Sequence, residues 1–225
     1  MGRKRLIWSL LFFIALLLAI NLFIVFNEMV FDRQYRFGRL FHFDTRLNIP
    51  FFFSLFLQLA NLLLLFNIVR YCRASKSQTV FWRTLFLAFF LFALDEAFYI
   101  HQHFKMSTFG TIASYDRASW SHYLWVIPYF LVFGSLIAVL FIYSTALPTP
   151  LKRKLFIAGS LFLFGAVAME FAGTFYAVIK PEGDIYLLLI KSLEATLQMV
   201  GSVMFMDTFA THLYHNKLEI RSKGS

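Results

Sequence analysis

The sequence is poor in cysteine, glycine, proline and charge. Its single cysteine, Cys72, excludes an internal disulfide, a CxxC redox motif and a cysteine-rich metal site. Only 10 glycines and 5 prolines accompany 31 phenylalanines, so the apolar surface is bulky rather than built from small residues. Charged residues make up 15% of the 225 residues and hydrophobic residues 60%. Soluble domains carry about a quarter of charged residues, so this composition indicates a protein that is solvated by lipid.

Apolar runs of membrane-spanning length recur along the chain. A helix needs about twenty residues to cross about 30 Å of hydrocarbon. We predict spans at residues 6–26, 51–70, 80–103, 123–145, 155–179 and 186–212. The predicted fold class is therefore all-α, a polytopic membrane helical bundle of about six transmembrane helices in a single domain, 1–225. The first run is too long for a signal-peptide core and lacks a small-residue cleavage site, so we interpret it as a retained anchor.

Basic residues alternate from loop to loop. The chain has 21 Lys and Arg against 12 Asp and Glu. They dominate the N-terminus, the loops after the second and fourth spans, and the C-terminal segment, whereas acidic residues offset them in the other loops. The positive-inside rule then predicts that both termini are cytoplasmic. Because this clustering explains the positive charge, we expect no nucleic-acid partner.

The connection between the first two spans, 27–50, is too long for a turn and too aromatic for a linker. Phe31, Gln34 and Phe41 lie near helical spacing, which predicts a short amphipathic helix in the outer interface. Its function has two interpretations: a cap packed over the bundle, or a basic stripe that binds lipid or substrate phosphate. The residues of this predicted lipid-headgroup stripe are Arg33, Arg36 and Arg39.

Ionisable residues interrupt three of the predicted spans. The third span carries Asp95 and Glu96, the fifth carries Glu170, and the sixth carries Lys191 and Glu194. A charge at the bilayer centre costs about 2.5 to 3.5 kcal/mol on insertion scales, so such residues are functional candidates. At a rise of about 1.5 Å per residue, the three glutamates fall within about one helical turn of the same level. We therefore predict one shared site in the outer half of the membrane.

Helical spacing adds neighbours to this site. Lys191, Glu194 and Gln198 form one stripe of the sixth span. Carboxylates from several helices together with a histidine are typical ligands of divalent metals inside helical bundles. The predicted metal ligands, for zinc or iron, are Glu96, His101, Glu170 and Glu194. The predicted catalytic residues are Asp95 and Glu96, and the supporting residues are Tyr99, His103, Lys191 and Gln198.

Each polar group also has a structural interpretation. Lys191 and Glu194 can form an i, i+3 ion pair that satisfies both charges. Glu96 and Glu170 can be protonated carboxyls that donate hydrogen bonds across helices. The histidines at the end of the third span lie near the outer headgroups, where a histidine is often only interfacial.

The segments LDEAFYIHQ and LEATLQMVG resemble an uncharacterised family of small multipass bacterial membrane proteins. That family carries D-E-A-x-x-I-H-E and E-x-x-L-E-M-x-G segments, with a lone glutamate on the helix between them. Gln102 and Gln198 stand where its pattern has Glu. A more distant analogy is the alkaline-ceramidase and progestin-receptor superfamily of zinc membrane hydrolases, whose paired late-helix histidines and Ser-His start are not convincingly present. The polar set that the first resemblance implies is Asp95, Glu96, His101, Glu170 and Glu194.

Three functions remain open for a multipass protein that we expect in a bacterial inner (plasma) membrane. The first is a metal-dependent intramembrane hydrolase or oxidoreductase that acts on a lipid-like substrate, with metal-activated water replacing a Ser or Cys nucleophile. In that enzyme Asp95 orients the ligating histidine or acts as the base. The second is a proton- or metal-ion-coupled transporter, against which unbroken helices and the lack of a visible repeat count. The third is a non-catalytic accessory or sensor subunit, and the expected partners are membrane lipid and either a second copy or a membrane partner subunit.

Overall fold

The computed structural model describes residues 2–31, 35, 37–43, 45, 47–71, 75–98, 100, 126–179 and 185–222. Every regular element in these ranges is helical, which confirms the predicted all-α fold. The α-helices are α1 (Gly2–Phe31), α2 (Ile49–Tyr71), α3 (Lys76–Phe98), α4 (Val126–Tyr143), α5 (Thr149–Leu163), α6 (Glu170–Ile179) and α7 (Ile185–Ser222). A π-helix, Phe164–Met169, connects α5 to α6, and short 3-10 helices lie at Gly38–Leu40 and Ser144–Ala146.

Within the described residues, six helical segments are long and apolar enough to cross a membrane, as predicted, and the chain is a multipass membrane protein. Several helices extend beyond the predicted boundaries, since hydropathy marks the hydrocarbon-facing part whereas helical hydrogen bonds continue into the polar flanks. The end of the third predicted span and the start of the fourth lie largely outside the described residues. The six segments are Gly2–Phe31, Ile49–Tyr71, Lys76–Phe98, Ile127–Ala146, Thr149–Tyr176 and Ile185–Asn216.

Local capping chemistry defines where α2 and α3 begin. The Phe51 N–H donates to Asn48 Oδ1 at 3.0 Å, and Pro50 occupies the first turn of α2, where its missing N–H costs nothing. Before α3, Ser75 and Gln78 form a reciprocal capping box with two 3.3 Å bonds between side chain and backbone. These caps satisfy backbone N–H groups that have no partner within the first turn of either helix.

The chain divides into two compact units, and each is described by itself. The first contains α1, the start of α2, most of α5, the π-helix, α6 and most of α7. The second contains the rest of α2, together with α3, α4 and the ends of α5 and α7. The prediction of a single domain stays a prediction. The units are Met1–Leu57 with Arg153–Thr208, and Gln58–Lys152 with Phe209–Ser225.

In the first unit, α5 and α7 approach so closely that only glycine fits between them. A Cβ added to Gly201 would lie 2.8 Å from the backbone nitrogen of Phe162. A Cβ on Gly165, in the π-helix, would lie 2.8 Å from the carbonyl oxygen of Glu194. Small residues of this kind allow membrane helices to pack backbone against backbone. The polar stripe of α7 is therefore held directly against the π-helix.

Aromatic side chains pack the second unit. Trp82 stacks on His212 with ring centroids 4.9 Å apart and meets Phe209 edge to face at 6.2 Å. Phe92 of α3 stacks on Phe133 of α4 at 4.2 Å. These contacts tie α3 to α4 and to the C-terminal end of α7.

Polar contacts attach the segment after α1 to α1 itself. His42 Nε2 lies 3.1 Å from Glu28 Oε2, and the Phe43 N–H donates to Asn21 Oδ1 at 3.0 Å. The described part of this segment forms a 3-10 turn at Gly38–Leu40 and further turns, instead of the amphipathic α-helix that its spacing predicts. Its backbone follows these side-chain bonds rather than a helical repeat, because they satisfy polar groups that would otherwise be buried unpaired.

We expect Asn21→Leu to detach this segment from the helices. Asn21 is completely buried and joins the Phe43 amide to Ser192 Oγ of α7, to which it donates at 2.7 Å. Leucine preserves the volume but removes the acceptor of the Phe43 amide and the donor to Ser192 Oγ, whose hydroxyl still donates to the Leu188 carbonyl at 2.6 Å. Loss of the buried acceptor costs about 1 to 3 kcal/mol. Thermal unfolding in detergent should shift down, and hydrogen exchange of the Phe43 amide should accelerate. The control is Asn67→Leu, which removes a bond to the Leu63 carbonyl of the same helix. Both measurements should change little in this control, and an equal loss there would contradict the assignment.

Candidate functional site: an ionic cluster between α6 and α7

Ionisable side chains meet where α6 faces α7. Lys191 Nζ lies 2.5 Å from Glu170 Oε2 and 3.1 Å from Glu194 Oε2. Gln198 Nε2 contacts Glu194 Oε1 at 3.4 Å. The three charged side chains are only 13% to 24% exposed. We call Glu170, Lys191, Glu194 and Gln198 the ionic cluster; it contains the i, i+3 pair expected from spacing and extends it to a second helix.

The π-helix positions Glu170 in this cluster. It occupies Phe164–Met169 and ends directly before Glu170. A π-helical turn holds an extra residue, so the helix that follows presents a different face, and such insertions occur frequently at functional sites. The fifth span stays one continuous helical segment, as expected, and the π-helix lies within it. Apolar periodicity is too coarse to detect one additional residue per turn, because every neighbouring residue here is apolar or small.

Gly173 lies beside the Lys191 stem. A Cβ on Gly173 would lie 3.5 Å from Lys191 Cε and 3.7 Å from its Nζ. The alkyl stem of Lys191 thus lies across the bare face of α6 and delivers the ammonium to the two carboxylates. Neutralisation by two carboxylates is what allows a lysine to remain charged in this position.

An open groove adjoins the ionic cluster on the side of the N-terminal end of α7. Its volume is about 450 Å³. Ile190 lines the groove and also lies 3.4 Å from the Cβ position of Gly173, beside the Lys191 stem. The groove and the cluster are therefore neighbours within the first unit. The groove is lined by Tyr176, Tyr186, Leu189, Ile190 and Leu193.

A second polar contact lies in the second unit. The Tyr129 hydroxyl of α4 donates to Asp95 Oδ1 at 2.6 Å, and both side chains are partly buried. Glu96 is also partly buried on α3 and takes part in interactions of its own. Sequence reasoning did not include Tyr129, although a hydroxyl in the apolar run VIPYFLVFG is a usable signal, because intramembrane polar groups tend to find partners on neighbouring helices. Since Asp95 and Glu96 belong to the second unit, their meeting with the ionic cluster stays a prediction.

Several predicted site residues fall outside the described residues. Arg39 is described, and its side chain is exposed. The histidine ligands and most of the arginine stripe therefore stay predictions. The residues concerned are Tyr99, His101, His103, Arg33 and Arg36.

Within the described part of the chain, no three His, Cys, Asp or Glu side chains are grouped to hold a metal ion. In the ionic cluster the Lys191 ammonium contacts both Glu170 and Glu194. It supplies the positive charge that a divalent cation would bring to these carboxylates. The zinc or iron site, which also includes Glu96 and His101, stays a prediction.

Comparison with known families finds one family model, described as a domain of unknown function (DUF8692), that matches residues 10–213. The match runs from α1 to α7 and includes the whole ionic cluster. Neither the curated proteins nor the solved structures contain a match to the chain. The resemblance based on the D-E-A segments stays a prediction.

Proposed function

We propose that this chain, which belongs to the DUF8692 family, binds a lipid-like amphiphile within the membrane at the ionic cluster. The proposal rests on one observation: the groove and the cluster adjoin through Ile190 and Gly173. A molecule with a hydrocarbon tail and a polar end can place the tail in the groove and the polar end against Glu194. The substrate class predicted from the sequence, a lipid-like molecule, fits this pair of surfaces.

Selectivity for the amphiphile has to come from the ionic cluster. Lipid tails are as apolar as the groove, so the transfer of a tail from the bilayer into the groove contributes little. Hydrogen bonds to charged groups are strong in a medium of low dielectric constant. Tyr176 and Tyr186 add amphipathic rings of the kind that lie at the headgroup level of a membrane. The polar end of the ligand therefore decides what binds.

We expect Leu193→Trp to block the groove. Leu193 lines the groove and is 47% exposed, and an indole there fills space that the tail needs. Overpacking of this kind costs about 1 to 3 kcal/mol, or about a 5- to 150-fold loss of affinity. Photolabelling by a diazirine-bearing fatty alcohol, followed by mass spectrometry of the α7 peptide, measures the effect. The matched control is Leu16→Trp on α1, at 43% exposure, which should keep full labelling; an equal loss in both variants would sink the proposal.

Chemistry on the bound amphiphile rests on the predicted zinc or iron. When bound, such a metal supplies an activated water for hydrolysis or a redox centre for oxidation. Elemental analysis of the purified protein tests this part of the proposal. Stoichiometric metal in the wild type that is lost in Glu96→Ala and Glu170→Ala supports an enzyme, whereas full metal occupancy in either variant excludes the predicted ligand set.

Ion-coupled transport is a second candidate, and the π-helix before Glu170 favours it. Single π-helical turns inside α-helices occur frequently at functional sites, and here one directly precedes an intramembrane carboxylate. A proton-flux assay in liposomes tests the candidate: a flux that requires Glu170 supports transport, and equal fluxes for the wild type and Glu170→Gln exclude it.

We also propose that the protein resides in a bacterial inner (plasma) membrane with both termini in the cytoplasm. The support is the alternation of basic loops along the chain. On that orientation, the stripe of Arg33, Arg36 and Arg39 faces the outer headgroups and is proposed to bind lipid phosphate. A second copy of the chain or a membrane partner subunit remains a proposed partner.

A further inference from the structure

We infer that the polar end of the amphiphile is a primary-amine cation, which the carboxylates of Glu170 and Glu194 bind beside the Lys191 ammonium. This inference rests on the proposed function, because it assumes that the amphiphile enters through the groove. It adds the chemical class of the ligand: an alkyl chain that ends in an ammonium group.

The Lys191 side chain has the same chemistry as the inferred ligand, an alkyl chain that ends in an ammonium group. It is an alkyl chain that lies on the face of Gly173, and its ammonium contacts two carboxylates of the cluster. An ammonium has three donor hydrogens arranged around one charge, which suits carboxylates that arrive from two different helices. The cluster is therefore already shaped to receive an alkylammonium.

Glu194 is the side chain with capacity for a second cation. Its contact with the Lys191 ammonium, at 3.1 Å, is longer than the 2.5 Å contact that Glu170 makes. Its other oxygen, Oε1, has within the described residues a 3.4 Å contact from the Gln198 amide, and the Glu194 carboxyl also shares a side-chain hydrogen bond with Glu170. A carboxylate offers about four acceptor positions on its two oxygens, so Glu194 can accept a further donor beside these partners. Charged donors are bound about twice as strongly as neutral ones, whereas an anionic headgroup would be repelled.

The groove flanks the polar stripe of α7. Leu193 lines the groove and directly precedes Glu194, and Ile190 lines it and directly precedes Lys191. A tail that lies along these side chains brings its end group to the first turn of the polar stripe. The carboxylates favour a cationic end group, and the apolar groove favours an alkyl chain. Both features therefore favour an alkylammonium ligand.

Binding of three probes with the same tail tests the inference on the full chain in a maltoside detergent. The probes are dodecylamine, dodecanol and lauric acid, each used below its own micelle concentration, with bound ligand counted by native mass spectrometry. We expect dodecylamine to bind about tenfold more tightly than dodecanol, as one charge-assisted hydrogen bond provides. Glu194→Gln should remove this preference, so that dodecylamine and dodecanol bind to the variant with similar affinities. Asp207→Asn, which changes a carboxylate paired with Arg3, is the charge-matched control and should keep the preference.

A second variant keeps the inference testable if Glu194→Gln does not fold. Lys191→Arg keeps the positive charge, and its five donors can satisfy both carboxylates, so it should stay folded and lose the preference for the amine. Equal affinities for amine and alcohol in the wild type, or tighter binding of lauric acid, would overturn the inference and leave the proposed function standing. Absence of binding by all three probes would overturn both.

Discussion

Lys191→Met is expected to lower the free energy of unfolding by about 3 to 5 kcal/mol. Methionine keeps the length and most of the volume of the lysine stem but removes the ammonium that contacts Glu170 and Glu194. The two carboxylates then remain partly buried without that compensating charge. Removal of one partner of a buried ion pair is strongly destabilising, because it leaves the other charge uncompensated. Denaturation of the purified protein by SDS in mixed micelles measures the loss.

The ionic origin of this loss can be separated from a packing effect. Glu170→Gln and Glu194→Gln remove the charges that Lys191 compensates, so adding both to Lys191→Met should recover most of the lost stability. A double-mutant cycle isolates the coupling between Lys191 and each carboxylate. If Lys191→Met costs as much in the background of both glutamine substitutions as in the wild type, packing and not charge is responsible, and the ionic cluster loses its assigned role.

Gly201→Ala is expected to have the second large effect, because one methyl group meets a backbone that cannot move aside. The new Cβ would lie 2.8 Å from the nitrogen and 2.9 Å from the Cα of Phe162. Overpacking in a close contact costs about 1 to 3 kcal/mol, and relief requires α7 to move away from α5. That movement would also displace Glu194 and Gln198, so we expect dodecylamine binding to fall together with stability.

Gly159→Ala on α5 is the matched control for this prediction. Its Cβ would lie 3.5 Å from Phe205 Cζ, an ordinary contact with the far end of a side chain. Alanine is a better helix former than glycine by about 1 kcal/mol, so Gly159→Ala should be neutral or stabilising. Thermal unfolding curves of both variants compare the two sites directly. Equal destabilisation at Gly159 and Gly201 would contradict the close approach of α5 and α7.

Much of the architecture follows from the order of apolar and polar residues. The six membrane-spanning segments were predictable because each needs a long apolar run, and length in a bilayer is a one-dimensional property. The ion pair of Lys191 with Glu194 was predictable for the same reason, since an i, i+3 spacing places two side chains on one face of any helix. Candidate polar residues such as Glu170 could be recognised from their position in apolar surroundings.

Only the tertiary structure decided which polar groups meet. Glu170 contacts Lys191 because the π-helix turns its face and the glycines at 165 and 201 let the backbones approach. The partners of Asn21 and Tyr129 likewise lie on other helices. The sequence by itself determined the helices, their order and the positions of the polar residues along them. The rotation of each helix about its axis and its distance from its neighbours came from three-dimensional packing, which residue spacing along one helix does not encode.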